Sequence, residues 1–372
     1  MEDVVGQNVD NKENVENSVE NSQANNLENK QPPTLKDQLR SLITIGVLIW
    51  FAWSILSNLG TTHKPVTLVN RVQISDKANG YFWFALPQAK LSDIAVMSFD
   101  KAGLNGAAAS LSGELLVTNN GGSDWQSSNK VPMDLGEQVT GLVVNAQGLW
   151  VSTGIDESNY SVIYHYANNE WHQITQDQAG IQALNGSFAV GSLGLIGELA
   201  AQTQQWEFRQ LPEWGQINLY AISQADNQLV TVGEYGLIAE SQDTGRSWSV
   251  KPPPFKQTST LYSCLINSHS NTSYFGGDTG VLWQRRGEQY TIVDGLSRNM
   301  SVFSLYGDNN LTIAAGGDNS GNKPFIISSK DGLEWQPETL SSEYGRVVSV
   351  SQGQGGIFAA TFDGYILLRQ KL

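Results

Sequence analysis

From Ile217 to Pro254 the chain alternates short apolar runs with turn residues. The runs are at Leu219 to Ile222, at Leu229 to Val232 and in LIAES after Gly236, with a last segment centred on Trp248. Each is long enough for a strand and too short for a helix. Gly233 to Gly236 and Asp243 to Gly245 fall where the chain must reverse, and both supply residues that tolerate positive φ or bond their own backbone. The pattern predicts a four-stranded meander. A single meander has nowhere to bury both faces, so it requires neighbours of its own kind.

Those neighbours are present. Aligned on the aromatic of the last strand, the unit recurs at Trp83, Trp125, Trp171, Trp206, Trp248, Tyr290 and Trp335, at intervals of 35 to 46 residues. This is the period of a four-stranded propeller blade. The third strand recurs too, in ELLV after Gly113, LIGEL after Gly194, VLW after Gly280, IISS after Phe325 and YILL after Gly364. The last repeat stops after its third strand, whereas Trp83 in YFWFAL is a fourth strand with no blade before it. The expected fold is therefore all-β, a seven-bladed propeller over 72–372 in which an N-terminal strand at 80–88 completes the last blade and removes the exposed sheet edges.

The chain before the propeller is a different material. Residues 1–34 are rich in Asn, Glu, Gln and Ser, lack aromatics and repeat NVDN, NVEN and SVEN, so an acidic, disordered tail is expected over 1–40. Residues 41–60, SLITIGVLIWFAWSILSNLG, carry no charge and match a bilayer core in length, which predicts a single transmembrane helix. Lys36 and Arg40 precede it and favour a cytoplasmic N-terminus. The propeller is then expected on the periplasmic or extracellular side of an inner membrane, on a short tether at 61–71. A cleaved signal peptide is the rival, with an unusually long n-region and no clean small-x-small site after Leu56.

The turn before Trp248, SQDTGRSW, has the Ser/Thr-x-Asp-x-Gly-x-Ser/Thr-Trp form of the Asp-box found in sialidases and related propellers, with Asp243, Gly245, Ser247 and Trp248 in the defining places. Weakened copies hold Asn120, Gly122 and Trp125 in TNNGGSDW, and Asp331, Gly332 and Trp335 in SSKDGLEW. The role expected of these residues is structural. AVGSLGLIGEL, TVGEYGLIAES and LLVTNNGGSDW resemble the repeats of the photosystem II assembly-factor propellers, over roughly 93–372. That resemblance implies a non-catalytic propeller that holds subunits of a membrane complex during assembly. A sialidase-like hydrolase or a glycan-binding module is the alternative, but no Arg-Ile-Pro signature appears, and Glu234 and Tyr235 are adjacent in a turn, where they diverge.

Other chemistry is sparse. The chain has a net charge of -14 and one cysteine, and residues 61–372 hold fewer Lys and Arg than Asp and Glu, which repels nucleic acid. An Asn168-Asn169 turn places His165 opposite His172, a pair too small for a structural zinc, and no metal or cofactor is expected. Cys264 has no disulfide partner and is expected as a small buried side chain. The turns between second and third strands carry Glu234, Asp278, Asp318 and Asp363, with Asp156 and Glu157 in the longer turn of the second repeat. These acids predict one negative rim that attracts a basic partner segment. The expected partners are proteins of an envelope complex such as a secretion or transport machine, with no small-molecule substrate.

Overall fold

The computed structural model describes residues 71–371 except 156–159, 179, 215, 252–258 and 321–322, and the tail, the apolar segment 41–60 and most of the tether lie outside the described residues. Among the described residues no helix is long and apolar enough to cross a membrane. Seven antiparallel sheets, blades 1 to 7 in the chain order of their innermost strands from Val96–Phe99 to Val347–Gly353, follow one another around a central channel. Blade 4 shows the unit: Leu219–Ala225, Gln228–Gly233, Ile238–Ser241 and Ser249–Lys251, hydrogen-bonded in that order from the channel outwards. The second strands are buried over most of their length. Thr272–Gly277 and Thr312–Asp318 are buried at every residue, as strands packed on both faces must be.

The closing blade is built from both ends of the chain. Val347–Gly353, Gly356–Thr361 and Tyr365–Gln370 are its first three strands, and Phe82–Lys90 is the fourth, pairing antiparallel with Tyr365–Gln370. The closing strand thus lies two residues further along the chain than the expected 80–88, at the same length. A short fifth strand, Val72–Gln73, pairs outside it, with Val72 opposite Ala85 and Gln73 opposite Phe84. No repeat signal announces this strand, since it is two residues long and exposed.

The repeated aromatics pack each blade against the one before. Trp125 of blade 1 sits edge-on to Phe99 at 5.6 Å and to Phe358 of blade 7 at 6.1 Å. Trp335 of blade 6 meets Tyr274 of blade 5 at 5.8 Å, and Trp248 meets Trp214, on the connection from blade 3, at 5.8 Å. The turns leading into these tryptophans share one device, a side-chain oxygen that accepts from nearby backbone amides beside a glycine at positive φ. Asp243 accepts from the Ser247 amide at 2.9 Å, from its hydroxyl at 2.7 Å and from the Ser241 hydroxyl at 2.7 Å, and Gly245 sits at φ 83°. In blade 1 the amide oxygen of Asn120 accepts from the Thr118 hydroxyl and the Asp124 amide, both at 3.0 Å, and Gly122 takes φ 87°. In blade 6 Asp331 accepts from the amides of Leu333 and Glu334 at 2.8 and 3.0 Å, beside Gly332 at φ 71°. What the turn requires is an acceptor oxygen, which is why Asn serves in place of Asp.

The Ser247 hydroxyl and amide, followed by the Ser241 hydroxyl, hold the Asp243 carboxyl down from 3.8 to about 2. A group whose folded pKa is depressed stabilises the fold fully above its unfolded value and loses that contribution as pH falls through the folded one. Asp243→Asn is therefore expected to lower the unfolding midpoint at neutral pH. The gap from wild type should shrink between pH 3.8 and about 2. A gap that stays constant across that window would show that the charge on Asp243 plays no part.

Candidate partner-binding site

Because successive strands of a blade run in opposite directions, the second-to-third turns open on one face of the propeller and the turns before the fourth strands on the other. The channel runs between these faces, lined by the innermost strands of all seven blades around a cavity of about 470 Å³. Its chemistry at the face of the second-to-third turns is set by a recurring backbone irregularity. In blades 2 to 7 the inner strand carries one extra residue near its start, so that Thr140, Gln182, Tyr220, Tyr262, Phe303 and Val348 have no counterpart on the neighbouring strand. A bulge of this kind bends the strand and re-aims the extra side chain. Of these residues Tyr220, Tyr262, Phe303 and Val348 line the channel.

Three consecutive blades place an aromatic at this position. Tyr220 and Tyr262 lie 5.6 Å apart, and Tyr262 and Phe303 also 5.6 Å apart, so the rings form an arc around one side of the mouth, each half-buried. The arc continues into a cation. The Arg346 guanidinium lies 5.3 Å from the Phe303 ring centre and 4.3 Å from that of Phe362, and its buried Nε makes no hydrogen bond.

The acids of the second-to-third turns stand in different environments. The Glu234 carboxylate accepts from the Asn218 amide at 3.0 Å, the Asn218 side chain at 3.2 Å and the Tyr220 hydroxyl at 3.4 Å. Burial and then Glu234 push the Tyr220 phenol up, while burial, Asp278 and then Glu234 push up that of Tyr262. Glu234 and Asp278 therefore both act on the aromatic arc. Asp318 is buried and spends its carboxylate on the Ser320 hydroxyl at 2.8 Å and the Lys323 amide at 3.1 Å. Asp363 accepts from the Thr361 hydroxyl at 2.5 Å, one residue from Phe362. Asp156 and Glu157 lie outside the described residues.

Tyr235 holds φ 56° and is 65% exposed, between Glu234 and Gly236. The equivalent turns of blades 3 and 5 place Leu193 at φ 56° and Thr279 at φ 53°, a conformation that is uncommon for side chains of this bulk.

The remaining candidates lie elsewhere. His165 is directly opposite His172 across a turn with Asn168 and Asn169 both at positive φ. Its ring lies flat on Trp150, with centres 3.8 Å apart, and its Nε2 is 3.0 Å from the Gln147 carbonyl. Among the described residues no group of three metal-ligating side chains occurs. Cys264 lines the channel half-buried, its thiol donating to the Val230 carbonyl at 3.4 Å, and burial pushes the thiol up.

No protein-family model and no curated protein matches the sequence. Solved structures do. YCF48 bound to a D1 peptide superposes with a TM-score of 0.59 at 14% identity, over 80% of this chain and 98% of that one. YCF48 from Cyanidioschyzon merolae gives 0.56 at 14%, over 77% and 97%. The extracellular domain of the putative one component system BT4673 from B. thetaiotaomicron gives 0.56 at 19%, over 81% of this chain but only 40% of that one. In its fold this propeller is similar to the photosystem II assembly-factor propellers that its repeats resemble.

Proposed function

We propose that the protein is a non-catalytic interaction module, a propeller that holds a polypeptide of a membrane complex against the mouth of its channel. The observation that carries this reading is the arc of Tyr220, Tyr262 and Phe303, three half-buried rings delivered by bulges to one rim and flanked by Glu234 and Asp278. Rigid aromatics beside fixed charges give large contact area at small entropic cost. A segment with an apolar or aromatic residue and a nearby basic one fits the Glu234 side, and the Arg346 side sets its polarity along the rim. The solved YCF48 complex with a D1 peptide supports a peptide as the class of partner.

In this reading residues 41–60 anchor the chain in the inner membrane, the tail 1–40 stays in the cytoplasm, and the propeller works on the other side. A tether of about ten residues spans at most about 35 Å, which keeps the propeller close to the bilayer. The protein then scaffolds or assembles an envelope complex, such as a secretion or transport machine.

The test is capture from detergent-solubilised membranes. Glu234→Gln, Asp278→Asn and Asp363→Asn together should reduce the co-purifying partner by about tenfold and make the residue less salt-sensitive, with the unfolding midpoint nearly unchanged. Undiminished capture at physiological salt would move the binding surface off the acidic rim.

A further inference from the structure

On the opposite face, between blades 6 and 7, a separate cleft of about 630 Å³ is lined by Asn79, Tyr81, Asn309, Asn310, Lys330, Arg369 and Lys371 among others. It is walled by the first-to-second turn of blade 6, by Lys330 before that blade's fourth strand, and by the end of the chain, so it shares no residue with the aromatic arc. In a protein of net charge -14 this is a basic place. Among the described residues that line it the one acid is Asp308, which is occupied locally, accepting from the Asn310 and Leu311 amides at 2.7 and 2.9 Å and from the Tyr306 hydroxyl at 2.8 Å.

Arg369 marks the cleft as more than a chance of surface charge. It is 3% exposed, and its Nε and Nη2 are spent on Glu338, at 2.8 and 2.7 Å. Its Nη1 has no hydrogen-bond partner among the described residues, although the side chain lines the cleft. Unlike the Arg346 Nε, this Nη1 is not shut off from solvent, so it is the edge of the guanidinium that opens to the cleft, with the Tyr81 ring centre 4.0 Å from the guanidinium carbon. Exposed Lys330 and Lys371 add two cations without carboxylate partners among the described residues, and Lys371 lies 5.1 Å from the Tyr81 ring centre. Around them the amides of Asn309 and Asn310 are exposed and make no side-chain hydrogen bond to the described residues.

We infer that this cleft binds a hydroxyl-rich monoanion, the chemistry of an acidic sugar, with its carboxylate on Arg369 Nη1 and the two lysines and its hydroxyls on the asparagine amides. The two N–H donors of one guanidinium nitrogen with two point charges suit a carboxylate, and amides that both donate and accept suit hydroxyls. The volume is that of a small-ligand site. The site is independent of the partner-binding mouth, and either reading stands without the other.

The test is calorimetric titration of the full-length protein with glucuronate, galacturonate and N-acetylneuraminate, with glucose and inorganic phosphate as controls. At least one acidic sugar should bind saturably and glucose should not. Lys330→Gln with Lys371→Gln should weaken binding by about tenfold or more, as loss of charge-assisted contacts does, while leaving the unfolding midpoint in place because both side chains are exposed. No saturable binding by any of the three acids, or binding indifferent to the double substitution, would overturn the inference. Binding of phosphate alone with the same lysine dependence would overturn the sugar class and leave a plain anion site.

Discussion

Glu338→Ala is expected to destabilise the propeller by about 3–5 kcal/mol, the cost of breaking a buried ion pair from one side. Glu338 follows the fourth strand of blade 6 and is 1% exposed. It receives Arg369 from blade 7 at 2.7 and 2.8 Å, the indole N–H of Trp83 from the N-terminal strand at 2.7 Å, and the Ser328 hydroxyl from its own blade at 2.5 Å. One carboxylate thus fastens the strand from the start of the chain to both of the last blades. Its removal leaves a guanidinium, an indole N–H and a hydroxyl in an interior with no acceptor. The ion pair itself is a different matter, because desolvation offsets most of its attraction. Glu338→Gln keeps the shape and two acceptor directions and should fall between wild type and Ala. Denaturant unfolding of the full-length protein measures both, and a loss below about 1 kcal/mol for Ala would mean that the closure is held by the strand ladder and apolar packing alone.

Trp125→Ala is expected to cost about 3–5 kcal/mol as well, by a different route. Trp125 is 6% exposed and completes a cluster with Phe99 and Phe358, whose rings stack at 5.2 Å. Two of these rings belong to blade 1 and one to blade 7, so the cavity would open across the blade boundary next to the closure. Trp248 is half-buried, and Trp248→Ala should therefore cost less than Trp125→Ala. The reverse order in unfolding midpoints would contradict this account of the aromatics.

How far the sequence leads is shown by the same residues. Trp125, Trp248 and Trp335 announce the blades because a fourth strand needs a large ring against the preceding blade and the turn before it needs Gly at positive φ, both of which leave a residue-level mark. The aromatic arc leaves none of that kind. Tyr220, Tyr262 and Phe303 are single aromatics in apolar runs some forty residues apart, and only the bulge, a property of pairing register, turns them toward one rim. Aligning the inner strands on the buried apolar residue just before the bulge, Leu219, Leu261 and Val302, brings the three rings to one position. The turn acids were visible as a class, yet sequence alone does not separate Asp318, committed inside its own turn, from Glu234, which reaches the arc. Arg346 and Arg369 were silent because their meaning lies in what they stack on and pair with across blades.

The central claim is that a polypeptide partner sits on the arc, and the most direct measurement is in-cell photo-cross-linking from position 262. The account predicts a discrete adduct with a subunit of a membrane complex. It should be lost when Glu234→Gln and Asp278→Asn are combined in the same chain, and it should be absent when the cross-linker is placed at Asn309 on the opposite face. Adducts from position 309 with none from 262, or an adduct at 262 that is unaffected by removing both charges, would contradict it.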